Sequence, residues 1–180
     1  MLKALEEKII NCKNCELCNL KVNDNNLSDF GFGKLLGYKK IKNPDIMIIG
    51  LNPSNVRFKD LKYAFDAGKE KLNERAGHRL INVLKKLEIY ERCYITNLVK
   101  CSTLDNKVKN KHAISCLTHL IKEIEILKPQ IILAAGRQVY EFLIDNDIFV
   151  KRIYHPNYCY SYHKITEQQY INDIKEKIEK

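Results

Sequence analysis

A chain of 180 residues can bury one substantial core and leaves little for a second, so a single domain spanning residues 1–180 is expected. No apolar run reaches membrane-spanning length, and the charged start MLKALEEKII is unlike a signal peptide; both predict a soluble, cytoplasmic protein with no membrane partner. Thirty-one Lys and Arg against 22 Asp and Glu leave a net charge of +9, which favours a polyanionic partner through phosphate neutralisation and counterion release.

In chain order, residues 2–10 carry an amphipathic helical pattern, and residues 45–49 (DIMII) read as a β-branched strand. An irregular stretch, 52–73, is expected to be a site-forming loop. Then follow a helix over 77–87, a strand over 93–97 (CYITN), a helix over 111–127 closed by Pro129, and a strand over 130–134 (QIILA). A helix over 136–144, a strand over 149–154 (FVKRIY) and a helix over 167–178 complete the pattern. Strands alternating with helices imply right-handed crossovers, hence a three-layer α/β/α sandwich around a central four-stranded parallel sheet.

Polar residues cluster just after each strand: Gly50-Leu51-Asn52-Pro53-Ser54, the NLVKC segment at 97–101, Ala135-Gly136, and His155-Pro156-Asn157-Tyr158. In an open parallel sheet this is the carboxyl edge, where ligands bind, so the four segments should converge on one crevice.

Seven cysteines in an intracellular chain point to metal binding or buried thiols more than to disulfides, and an odd number leaves one over in any all-disulfide scheme. Cys12, Cys15 and Cys18 form CxxCxxC; Cys101 and Cys116 follow with fourteen residues between them. Four thiolates suit zinc and an iron–sulfur cluster alike, so spacing does not choose the metal. The N-terminal cysteines could also bind a metal alone, with Cys101 and Cys116 as packed small hydrophobes. Cys93, within a strand, reads as buried, Cys159 as either a surface thiol or part of the site, and His119, one turn from Cys116, as a surface residue or a substitute ligand.

At this point the chain resembles the iron–sulfur, family 4 uracil-DNA glycosylases. The resemblance runs in order through NCKNCEL at 11–17, IMIIG with a Pro-containing turn after it, AGHRL at 76–80, YITNLVKC at 94–101, Cys116, LKPQIILAAG at 127–136 and HPNY from His155. It implies a [4Fe–4S] cluster held by Cys12, Cys15, Cys101 and Cys116, with Cys18 surplus. It also implies a DNA-repair enzyme that hydrolyses the N-glycosidic bond of uracil, or another deaminated base, in DNA, acting as a monomer. Two departures stand out. The family's Glu and second Gly after the first strand are replaced by GLNPS, and its uracil-stacking Phe falls on Leu72. GLNPS is similar to the Asn-containing turn of the mismatch-specific and single-strand-selective branches, where the Asn positions water.

Glycosidic hydrolysis leaves negative charge on the departing base and needs a held water. His155 is the expected donor to that charge, and Asn52 the group that orients water. Asn97 offers an amide able to pair with O4 and N3 of uracil and to reject cytosine, with Gly50 expected in the same base pocket. Phe58 is the first choice for stacking the flipped base, ahead of Tyr63 and Phe65. Tyr158 and Tyr160 could wedge into the base stack, and Lys107, Lys109 and Lys111 could meet phosphates. Two competing readings are a non-catalytic iron–sulfur nucleic-acid-binding protein of the same fold, and a zinc-stabilised protein with an unrelated ligand in the crevice.

Overall fold

The structure, a computed structural model, describes residues 1–19, 37–39, 43–53, 76–103 and 107–179. Its strands are β1 (Tyr38–Lys39), β2 (Ile46–Gly50), β3 (Cys93–Asn97), β4 (Ile131–Ala135) and β5 (Lys151–Ile153); its helices are α1 (Leu2–Ile10), α2 (Ala76–Lys86), α3 (Asn110–Leu127), α4 (Arg137–Ile144), α5 (Pro156–Tyr160) and α6 (Glu167–Glu179). The sheet order is β1-β3-β2-β4-β5, with β3, β2, β4 and β5 mutually parallel and β1 antiparallel on the edge of β3. The four-stranded parallel core is thus as expected.

The edge strand β1 was not anticipated, because two residues carry no readable period. A side chain at Gly37 would run into the Tyr94 ring, so glycine is what lets this edge approach β3. The last strand is shorter than its apolar run: Phe149 is 82% exposed, and only Lys151 to Ile153 pair with β4.

Alternation along β2 separates the two apolar layers. Ile46 and Ile48 face one side with Ile95, Leu133 and Ile153, against Leu80 and Val83 of α2 and Tyr170 and Ile174 of α6. Met47 and Ile49 face the other, against Ala113, Cys116 and Leu120 of α3 and Val139 and Leu143 of α4. Both faces of β2 are therefore buried, which is why its four residues 46–49 are apolar without a polar alternate and 0% exposed. Helix α1 packs on α3 through Leu5 and Ile9.

The chain leaves β2 through α2 on one face to reach β3, then crosses back through α3 on the other face to reach β4. Crossovers of one hand that move in opposite directions must use opposite faces. The turns after β2 and its neighbours consequently part to the two sides of the sheet, opening a crevice at the carboxyl edge beside Gly50. Among the described residues no helix is long and apolar enough to cross a membrane.

Candidate active site and cysteine cavity

The turns after β2 and β3 run side by side. Gly50 is in register with Asn97, and beyond that pair the Leu98 N–H donates to the Gly50 carbonyl (2.8 Å) and the Val99 N–H to that of Leu51 (2.9 Å). Asn52 follows, half-buried, with Nδ2 donating to the Pro53 carbonyl (2.9 Å) and to Thr103 Oγ1 (3.5 Å). The amide thus locks its own turn against the segment after β3. Asn97 itself is 2% exposed.

On the other side of β2, the Gly136 N–H donates to the Ile153 carbonyl at 2.9 Å, joining the ends of β4 and β5. Gly136 has φ +104°, ψ 163°, a region open in practice only to glycine, and a Cβ there would stand 3.5 Å from Cβ of His155. Gly136→Ala is therefore expected to lower stability by about 1–3 kcal/mol, measured by denaturant unfolding; an unchanged midpoint would show that the turn relaxes freely.

His155 is the N-cap of α5, a short helix for which no pattern was read in the sequence. Pro156 occupies the first helical position, and the Asn157 N–H donates to His155 Nδ1 at 3.2 Å. With Nδ1 accepting, the neutral ring carries its proton on Nε2. Burial lowers the His155 pKa from its ordinary value, which keeps the ring neutral near pH 7. Just before it, the Tyr154 N–H donates to Asp173 Oδ2 (2.8 Å), so α6 pins the chain as it leaves β5.

The two tyrosines after His155 part company. Tyr158 is 40% exposed and stacks on Tyr154, centroids 5.1 Å apart and planes within 7°. Tyr160 turns inward instead: it packs edge-on against Tyr170, lies under Arg79, and donates from its hydroxyl to Glu167 (2.8 Å). The α5 turn thus sends residues 158 and 160 to different sides, and Tyr160 is half-buried. Lys107 and Lys109 are exposed ahead of α3, whereas Lys111 is ion-paired with Glu16 at 2.5 Å. Phe58, Tyr63, Phe65 and Leu72 lie outside the described residues.

The second centre is a small cavity beneath the edge, lined by Cys12, Cys15, Cys101 and Cys116 together with Lys100 and His119. Cys12 and Cys15 come from the segment after α1, Cys101 from the end of the β3 turn, and Cys116 from α3. Burial raises the Cys116 thiol, opposed by a backbone N–H of Lys100 and by that residue's charge. Among the described residues no three His, Cys, Asp or Glu stand close enough to hold a single metal ion. Four thiols lining one cavity are a donor set that either a four-Cys iron–sulfur cluster or a zinc ion would accept.

Outside the cavity the N-terminal segment is also clasped to α3. Glu16 accepts from Lys111 and from His112 Nε2 (3.0 Å), and these hydrogen bonds hold its carboxyl down at about 2. Cys93 is buried in β3, donating to the Ile89 carbonyl (3.3 Å), with burial pushing its thiol up to about 12; Cys159 is buried in α5. Cys18 lies in the 3-10 turn Glu16–Asn19, its side chain outside the described residues.

Sequence reasoning passed over Lys100 and Glu123, both buried in this region. The signals were a lysine inside the apolar LVKC segment and a glutamate in the inward stripe of α3 with Ala113, Cys116 and Leu120.

A parallel core of this order with helices on both faces fits the three-layer α/β/α fold of the uracil-DNA-glycosylase type. The model for the Uracil DNA glycosylase superfamily matches residues 36–179, and the chain belongs to that superfamily. It is 33% identical over 137 residues to the type-4 uracil-DNA glycosylase of Pyrobaculum aerophilum, covering 75% of this chain and 60% of that protein. To the type-4 uracil-DNA glycosylase of Sulfurisphaera tokodaii it is 27% identical over 145 residues, 79% of this chain and 57% of that one. The chain thus spans 57–60% of the length of these relatives. Cys12 and Cys15 precede the family match.

Proposed function

We propose that the chain is a DNA glycosylase that hydrolyses the N-glycosidic bond of uracil, and of other deaminated bases, after the nucleotide has been flipped out of DNA. The observation that carries this reading is His155: an N-cap bond into Nδ1 leaves the ring proton on Nε2 as a donor, in a half-buried ring whose pKa burial lowers. Such a donor stabilises negative charge developing on O2 of the leaving base.

Asn52 supports the second requirement. With Nδ2 engaged by Pro53 and Thr103, Oδ1 is the atom that accepts from a water and turns it towards the sugar. Asn97 reads the base edge, pairing with O4 and N3 of uracil, while Gly50 beside it leaves room for the ring. The ends of β3 and β5 are three strand spacings apart, about 14 Å. A base and its sugar fit that span, reaching from Asn97 to His155. Phe58 is the proposed stacking ring, Tyr158 the wedge, and Lys107 and Lys109 phosphate contacts.

The donor set also supports a [4Fe–4S] cluster on Cys12, Cys15, Cys101 and Cys116. When bound it supplies a cross-link, tying the N-terminal segment to the end of β3 and to α3 within one domain; the chemistry on the base belongs to the edge residues.

Incubation with uracil-containing single- and double-stranded oligonucleotides, followed by alkali to cut abasic sites, tests the reading. Cleavage at the uracil is expected. Iron-loaded protein that binds DNA yet releases neither uracil nor hypoxanthine would instead identify a non-catalytic nucleic-acid-binding protein.

A further inference from the structure

Lys100 and Glu123 form an ion pair (2.7 Å) with both side chains only 1% exposed. The three ammonium protons of Lys100 have three acceptors: Glu123 Oε2, Thr96 Oγ1 at 2.8 Å and the Asn97 carbonyl at 2.7 Å. Glu123 in turn accepts from the hydroxyls of Tyr94 (2.9 Å) and Thr96 (3.1 Å). Apolar residues of the same volume would often be no less stabilising at such a place, so the charges call for a reason beyond stability.

Position supplies it. Two of the three bonds from Lys100 go to Thr96 and Asn97, the last residues of β3. The described pairs of β1 reach Tyr94 and Ile95; just past them, Lys100 takes the Asn97 carbonyl. Glu123 is two helical turns from Cys116 on α3, and Lys100 adjoins Cys101 while itself lining the cysteine cavity. The stretch 97–101 therefore carries a base-reading amide at one end and a cavity thiol at the other, with the buried pair clamping it between β3 and α3.

We propose that Lys100 and Glu123 are positioning residues that hold the Asn97 peptide, so that discrimination of uracil from cytosine depends on a buried pair that touches no DNA. This rests on the glycosylase reading for the role of Asn97. A fixed peptide plane fixes the direction in which the Asn97 amide leaves the chain; a loose one lets the amide turn over and accept the wrong base.

The test is the neutral double variant Lys100→Met with Glu123→Gln, which leaves neither charge buried alone, beside Glu123→Gln, which keeps Lys100 on the Asn97 carbonyl. The double variant should retain its iron and its KM for DNA. Its affinity for free uracil and its uracil-over-cytosine ratio should each fall at least tenfold, and amide exchange at Leu98 and Val99 should quicken while Leu133 and Ala134 stay protected. Glu123→Gln, which leaves the Lys100 bond to the Asn97 carbonyl but removes its counter-charge, should fall between wild type and the double variant in selectivity. If the double variant does not fold, amide exchange in the wild-type protein decides: protection of Leu98 and Val99 matching Leu133 supports the clamp, and fast exchange overturns it. Wild-type protein that releases uracil, with a folded double variant unchanged in uracil affinity and in exchange, overturns this role alone. Wild-type protein that releases no uracil overturns the glycosylase reading and this role with it.

Discussion

His155→Ala should lower single-turnover uracil excision by about 100- to 1,000-fold, the usual cost of removing one preorganised donor to a developing anion. Iron content and affinity for undamaged DNA should hardly move, because the side chain meets charge that exists only as the base departs. The N-cap bond to Asn157 is lost too, at about 1 kcal/mol, so a small drop in melting temperature accompanies the kinetic effect without explaining it. The pH profile gives an independent check. Burial lowers the His155 pKa below its ordinary value of 6.5. A depressed folded-state pKa contributes stability that is present above 6.5 and lost as pH falls through the lowered value. Protonation also removes the Nδ1 acceptor from Asn157. Excision should therefore hold level down to about pH 6.5 and decline only beneath it. A near wild-type rate for His155→Ala would leave the superfamily membership intact and assign the stabilising donor elsewhere.

The second large effect is on iron and stability. Cys101→Ala or Cys116→Ala should strip the brown colour and most of the iron, close to four per chain in wild-type protein by analogy with four-Cys clusters. A cross-link between Cys12 and either later cysteine closes a loop of about 90–100 residues, worth roughly 4–5 kcal/mol of unfolded-chain entropy. At about 2–4 °C per kcal/mol for a chain of this size, the melting midpoint should fall by about 8–20 °C. Cys18→Ala should change neither iron nor midpoint. Iron loss on changing Cys18, or stoichiometric zinc in anaerobically purified wild-type protein, would show that the ligand set or the metal is other than proposed.

The layers of this fold were legible because burial imposes period. Strands covered on both faces must be apolar throughout, as IMII in β2 is, and helices covered on one face must repeat every three to four residues, as α3 does. Where burial is partial the pattern thins. Two-residue β1 and five-residue α5 are too short to show a period, and Tyr158 and Tyr160 look equivalent in sequence until the turn of α5 separates them.

The parallel sheet, the placing of Asn52, Asn97 and His155 at its carboxyl edge and the spacing of the cysteines were legible from local period and residue order alone. The structure was needed to show that His155 Nδ1 accepts from the Asn157 N–H, because a five-residue helix leaves no readable period. It alone brought Cys12 and Cys15 to the same cavity as Cys101 and Cys116, and joined Lys100 to Glu123 across 23 positions. Contacts between residues distant in the chain leave no periodic trace in it; they exist only once β3 and α3 are packed on one another.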